Sequence, residues 1–340
     1  MIGPKSADGL FLRSVKPRCL AACVVVLLSL AAACIPATPP PTEPPSTSTP
    51  APSPTPTAQP PFVLLIRPEG AGRITDELAQ SVEQLAEQGG LAFVTAAELT
   101  PDRISPSARR IVIGDDAPGL PSVLADLAGA QAFIVRSGQI DRLQTGEPTP
   151  ASEFELRRAF SAGYATSLLA PEWRIAAVVP ADLPDVGEAF RQGGVFGCGL
   201  CNPPYPPYAE YPLVAVSQSE AETLSALEAL AAQDVTVIYL GPGLATQASA
   251  QAASQLGMLV VGADFPPEAG SDSWAASIRP DLPAALRIAW EMDPQATEPV
   301  VAPLRLESTN SDLFSPGRQD DLRRLFDQLE TGAVRILLDS

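Results

Sequence analysis

From residue 62 onward the apolar residues of this 340-residue chain fall into short runs rich in Val, Ile and Leu, separated by longer stretches with helical spacing. Runs at 62–66, 91–95, 110–113 and 131–135 predict strands, with helices over 74–88 and 120–127 between them. A long helix is expected over 153–169. A second series follows: strand 174–179, helix 183–191, a loop that carries Cys198, strand 213–216 and helix 220–232. The clearest unit spans 235–264 (VTVIYLGPGLATQASAQAASQLGMLVVGAD). It has a strand over 235–240, a break at Gly241-Pro-Gly243, an Ala/Gln/Ser-rich helix to Leu256 and a second strand over 258–261. Beyond Asp264 come an acidic loop, helices over 282–291 and 320–329, and a last strand over 334–338.

Apolar runs without alternation, each followed by a helix, are the mark of parallel strands buried on both faces. Two consecutive blocks of such units predict an α/β fold of two doubly wound parallel-sheet lobes. The first is 62–170, to which 268–340 returns, and the second is 171–267, with a ligand cleft between them. Ligands of such sheets sit outside the carboxyl ends of the strands. Gly241, Gly243 and Asp264 lie at such ends. There the glycines let backbone approach a ligand, the following helix offers free N–H groups, and Asp264 offers a carboxylate to hydroxyl or amine donors. Asp115 and Asp116 stand at the carboxyl end of the 110–113 strand, and Arg67, Arg73 and Arg279 are candidates for a cationic side. Tyr205, Tyr208 and Tyr211, in a proline-rich insertion, either supply a stacking surface or cover the lobe. The plainer alternative for each is a turn glycine, a surface charge or a packed loop.

Residues 1–33 change the picture from a free globular chain to an exported one. Lys5, Arg13, Lys16 and Arg18 form a positive leader, and the apolar stretch 19–33 has signal-peptide rather than bilayer-spanning length. It ends in Ala31-Ala32-Ala33-Cys34, which resembles the bacterial lipobox, in which the cysteine is lipidated and becomes the first mature residue. A cleaved secretory signal followed by an incidental cysteine is the alternative. Residues 36–61 are dominated by Pro, Thr and Ser and carry no apolar side chain able to join a core. A disordered leader and a Pro-rich stalk (34–61) are therefore expected ahead of the lobes, and about 3.1 Å per residue of extended polyproline would let the stalk span roughly 80 Å.

The chain carries 22 basic and 39 acidic residues, a net charge of −17, and four of the basic residues belong to the leader. That balance argues against nucleic acid and against an anionic membrane surface as partners. There is no histidine, and the only lysines are Lys5 and Lys16. Ser-His, Cys-His and Ser-Lys nucleophile pairs, pyridoxal Schiff bases and histidine-ligated metals are excluded, so neither metal nor cofactor is expected. Cys198 and Cys201 remain beyond Cys34; in an oxidising compartment a local disulfide is expected. Thioredoxin-type redox work is the alternative, and it fits less well because the pair follows a glycine-rich turn and runs into Asn202-Pro-Pro204.

The order of several motifs resembles the Bmp/PnrA group of type I periplasmic binding proteins, lipoprotein receptors of ABC transporters that usually bind nucleosides. The motifs are Phe160-Ser-Ala-Gly-Tyr-Ala-Thr-Ser-Leu-Leu with Trp173-Arg-Ile-Ala-Ala-Val-Val, Ala189-Phe-Arg-Gln-Gly-Gly, Tyr239-Leu-Gly-Pro-Gly, Val261-Gly-Ala-Asp264, Ser277-Ile-Arg279 and Leu329-Glu-Thr-Gly-Ala-Val-Arg-Ile. The resemblance implies a type I periplasmic binding fold, a ribose-holding role for Asp264 and a charge from Arg279. It also implies a nucleoside-like ligand and a permease as partners, and a lipid-anchored position on the extracytoplasmic face. Where that group has an Asp-Ser-Phe-Asn-like segment, this chain has Arg67-Pro-Glu-Gly-Ala-Gly-Arg73, and it has Val216-Ser-Gln in place of an aromatic followed by an acid. The expected function is a tethered solute-binding protein without catalysis. A sensing or protein-interaction lipoprotein and a paired-carboxylate enzyme are the alternatives.

Overall fold

The structure, a computed structural model, describes residues 59–68, 74–100, 104–117, 130–143, 152–170, 172–198, 211–268, 270–293, 296, 298–307 and 309–337, all within the unit Thr57–Ser340. The leader, Cys34, most of the stalk, Arg73, the helix expected over 120–127, Cys201, Tyr205 and Tyr208 lie outside them, as does the side chain of Cys198.

Strands β1 (Phe62–Ile66), β2 (Ala92–Ala96), β3 (Ala108–Gly114), β4 (Gln131–Val135) and β5 (Gln139–Leu143) precede the long helix α2 (Ser152–Leu169), with α1 (Asp76–Gln88) between β1 and β2. The second series is β6 (Ile175–Pro180), α3 (Pro184–Cys198), β7 (Leu213–Ser217), α4 (Glu220–Ala231), β8 (Val237–Leu240), α5 (Gln247–Gln255), β9 (Leu259–Gly262) and β10 (Trp274–Pro280). It closes with α6 (Leu282–Glu291), β11 (Val300–Val301), β12 (Leu304–Glu307) and α7 (Pro316–Glu330). Two six-stranded sheets result, ordered β11-β5-β4-β3-β1-β2 and β12-β10-β9-β8-β6-β7. Both contain the doubly wound reversal: β1 lies between β2 and β3, and β6 between β7 and β8, all parallel. The α/β fold of two such lobes is as the apolar pattern predicts.

The local reasons are legible residue by residue. In α1, Thr75 caps by accepting from Leu78 N at 3.2 Å, Asp76 and Glu77 meet the positive end of the helix dipole, and Leu78, Val82, Leu85 and Ala86 form one buried stripe. That stripe covers one face of the first sheet with Val63, Leu65, Val112 and Phe133. The second sheet is buried on both sides, by α2, α3 and α7 on one face and by α4 and α5 on the other.

Four expectations need correction. The helix expected to end at 191 runs on to Cys198, and Gly193-Gly194 is helix rather than turn. A Cβ on Gly193 would stand 1.8 Å from the Phe160 carbonyl oxygen, and one on Gly163 would stand 2.1 Å from that of Phe190. These glycines exist so that α2 and α3 can approach backbone to backbone. The tail does not return whole to the first lobe: only α6 and β11 join it, whereas β10, β12 and α7 build the second. Helix α2 also packs mainly in the second lobe's core. Finally, 334–337 form no strand; Leu337 N donates to Gln192 Oε1 at 3.0 Å, laying the tail along α3.

Candidate functional site

The carboxyl ends of both sheets meet along one seam. Ser137, just beyond β4, donates to Glu155 on α2 at 3.0 Å, and Glu77, in the first turn of α1, takes Arg305 of β12 at 2.6 and 2.7 Å. On the second lobe's side of the seam lies an open depression of about 660 Å³. It sits at the carboxyl ends of β6, β7 and β8, where the strand order reverses, which is where doubly wound sheets hold ligands. Helices α3, α4 and α5 all begin at its edge, the last two capped by Ser219 and Thr246. Asp182, Gln218, Glu220, Gly243 and Thr246 line it. Ser217 lines it as well, but its hydroxyl is engaged with Thr223 Oγ1 and the Ser219 carbonyl, both at 2.8 Å.

Asp264 borders this region and is held in place from several directions. Its Oδ2 accepts from Gly243 N at 2.7 Å, its carbonyl accepts from Ser277 Oγ at 2.7 Å, and Ser277 in turn accepts from Trp274 Nε1 at 3.0 Å. Gly262 is required two residues earlier because a Cβ there would stand 2.0 Å from the Trp274 indole. The carboxylate itself is half-buried, so it remains reachable by a ligand. Gly243, exposed at φ +74°, adopts the left-handed backbone that presents its N–H to Asp264. Gly241 is buried, with the space for a Cβ taken by Pro180 and the Val178 carbonyl at 3.0 and 3.1 Å; it serves the packing of β8 on β6.

Beneath Asp264 lies a buried charge pair that spacing alone does not distinguish from a surface pair. Glu155 and Arg158 on α2 are 4% and 2% exposed and bonded to each other, and Arg158 NH1 reaches the Ala263 carbonyl at 3.4 Å. Burial opposes the Arg158 charge, but Glu155 beside it prevails and the guanidinium is held protonated more firmly than usual. Tyr239 Oη, also buried, faces Arg158 without a hydrogen bond of ordinary geometry, and burial pushes its phenol far up.

Arg279 is not a free cation. Its NH1 pairs with Glu307 at 2.9 Å and its guanidinium lies 3.5 Å from the centre of the Phe265 ring. Phe265 is the residue that the sequence reading missed: 53% exposed, next to Asp264, with one ring face on Arg279. A lone aromatic directly after a strand-end Gly-Ala-Asp was the available signal. Asp115 and Asp116 follow β3 in the first lobe and do not line the depression; Asp115 N donates to the Val135 carbonyl at 3.0 Å. Nearby, burial raises the Asp141 carboxyl, against Arg136, which bonds it at 2.6 Å. Arg67 is paired with Asp76 at 2.6 Å, and Tyr211 donates to the Gln233 carbonyl.

No protein-family model and no characterised protein sequence matches the chain. Among solved structures it is similar to an ABC transporter solute-binding protein from Mycobacterium smegmatis with bound glycerol, at 14% identity over 75% of this chain and 97% of that one, TM-score 0.43. It is similar to ABC transporter system solute-binding proteins from Aeropyrum pernix, at 13% identity over 82% and 93%, TM-score 0.45. A LacI family transcriptional regulator from Enterococcus faecium with bound ribose is also similar, at 14% identity over 73% and 98%, TM-score 0.43. These are distant likenesses; the fold assignment rests on the strand order and parallel pairing described above.

Proposed function

We propose that this chain is an extracytoplasmic solute-binding receptor, tethered to the cell membrane by a lipid on Cys34, that binds a small polar ligand between its lobes without catalysis and passes it to an ABC transporter permease. The observation that carries this reading is the depression at the reversal point of the second sheet, with Asp264 set at its border by Gly243 and Ser277. Carboxylates and an amide around an open hollow accept and donate to hydroxyl groups, and the exposed Phe265 ring offers a flat apolar face. A hydroxyl-bearing ring compound fits this set, and the family resemblance of the sequence narrows it to a nucleoside-like ligand.

The test is a thermal-shift screen of the mature protein against nucleosides, nucleobases, sugars, polyols and amino acids. A ligand present at 100 times its dissociation constant adds about 2.7 kcal/mol of stability and so raises the melting temperature. A hit among nucleosides or sugars supports the reading, and a flat response across all classes counts against it. A second reading, a sensing or protein-interaction lipoprotein, is favoured by an apolar groove of about 860 Å³ on the flank of α3, where Val195 and Phe196 are 53% and 47% exposed. Co-purification of a permease with the tethered protein separates the two.

A further inference from the structure

We propose that two chains of bonded side chains tie the Asp264–Phe265 corner of the second lobe to the first lobe. In this proposal Glu155, Arg158, Arg305 and Glu307 are positioning residues that couple the corner to the way the lobes meet. The inference rests on the reading of this corner as ligand-binding, and it names what would set its geometry. None of the four residues lines the depression.

The first chain starts at Ser137 in the turn after β4, whose hydroxyl donates to Glu155 Oε1 at 3.0 Å. Oε2 of Glu155 takes Arg158 NH2, and Arg158 NH1 reaches the carbonyl of Ala263, the residue before Asp264. Gly138 tightens the start of this path, because Phe154 of α2 occupies the space a Cβ would need, 2.0 Å away. The second chain starts at Glu77 on α1, held by both terminal nitrogens of Arg305 at 2.6 and 2.7 Å. Arg305 also bonds Glu307, whose other oxygen takes Arg279 NH1 at 2.9 Å, and Arg279 lies 3.5 Å from the Phe265 ring centre.

Both paths thus begin in the first lobe and end in the second on either side of Asp264, one at the Ala263 carbonyl and the other at the Phe265 ring. They run through α2, which leads the chain out of the first lobe, and β12, which re-enters the second lobe after β11. Arg158 Nε and Arg305 Nε are already buried without partners. Neither guanidinium can shift part-way without losing further bonds, so each path rearranges as a unit. A shift of the lobes is therefore felt at Asp264 and Phe265, and a ligand that moves either residue is felt at the seam.

The experiment uses the full mature protein without ligand, so its outcome is independent of whether any screen finds one. Hydrogen exchange is followed at Gly243, whose N–H is bonded to Asp264 Oδ2, and over the 262–273 segment. The variants are Glu77→Gln, Ser137→Ala and, as a control on the exposed face of α1, Glu83→Gln. Glu77→Gln and Ser137→Ala are each expected to speed exchange at Gly243 by about three- to tenfold, with Glu83→Gln unchanged, the range of local opening equilibria. Effects confined to the start of α1 and to the turn after β4, with Gly243 as in wild type, would overturn the proposal.

Discussion

Glu155→Gln is the most informative single change for the stability of the second lobe. It leaves Arg158, 2% exposed, with its charge, with the Ala263 carbonyl at 3.4 Å, and with an Nε that already lacks a partner. Removing one member of a buried ion pair costs about 3–5 kcal/mol, and because the Gln carbonyl can still accept one bond the lower end, about 3 kcal/mol, is expected. The same reasoning makes the double replacement Glu155→Met with Arg158→Met far less damaging, since no buried charge is then left alone; about 1–2 kcal/mol is expected from imperfect repacking. The assay is urea unfolding of wild type, Glu155→Gln, and the cycle of Glu155→Met, Arg158→Met and their double variant, read as midpoints at constant slope. The cycle should give a coupling energy of about 2 kcal/mol or more. A single-variant cost below about 1 kcal/mol, or a double-variant cost equal to the sum of the singles, would refute the claim that this pair is a buried, mutually dependent unit.

Gly193→Ala should destabilise by about 3 kcal/mol, because its Cβ would stand 1.8 Å from the Phe160 carbonyl and force α2 and α3 apart. Gly317→Ala, in α7 with nothing within 4 Å of the new Cβ, should instead be neutral or slightly stabilising by the same unfolding assay. Glu77 is held below the usual carboxylate range, chiefly by its bond from Arg305, so its contribution is present above the ordinary value of about 4.3 and is lost as pH falls through the lowered one. Unfolding free energies of wild type and Glu77→Gln should therefore differ slightly at pH 7, by less than about 1 kcal/mol for so exposed a pair, and converge in acid. Cys34→Ser should move the protein from the membrane to the soluble fraction; unchanged sedimentation with membranes would place the anchor elsewhere.

What the sequence disclosed follows from whether the cause is local. Strands β1, β4, β6, β8 and β9, and β3 from Ile111 onward, are buried on both faces, so each shows as an apolar run, and the unit around Gly241-Pro-Gly243 carries its own turn chemistry. The strands that were not foreseen lack that mark. β5 (QIDRL) and β12 (LRLE) are antiparallel additions rich in charge, and β10 (WAASIRP) places only small or polar residues between its buried Trp274 and Ile278, so it shows no apolar run. Gly193-Gly194 was misread because its reasons lie far along the chain, at Phe160 for Gly193 and at Pro212 and Ile175 for Gly194. At the candidate site, strand-end position singled out Asp264 and Gly243, which the structure bonds to each other, whereas Gly241 serves packing and Arg279 is committed to Glu307 and Phe265. The Glu155–Arg158 pair has the same i, i+3 spacing as the exposed pair of Arg323 with Asp320; only the packing of α2 tells them apart.

The central claim is that the depression beside Asp264 binds a small polar ligand through that carboxylate. The measurement is isothermal titration of the first compound that raises the melting temperature of the mature protein, against wild type, Asp264→Asn and the exposed control Asp320→Asn. Hydrogen bonds to a charged acceptor are worth about 1.5–3 kcal/mol, so Asp264→Asn should bind at least about tenfold more weakly while Asp320→Asn matches wild type. Equal affinity for wild type and Asp264→Asn, with both folded, would contradict the assignment.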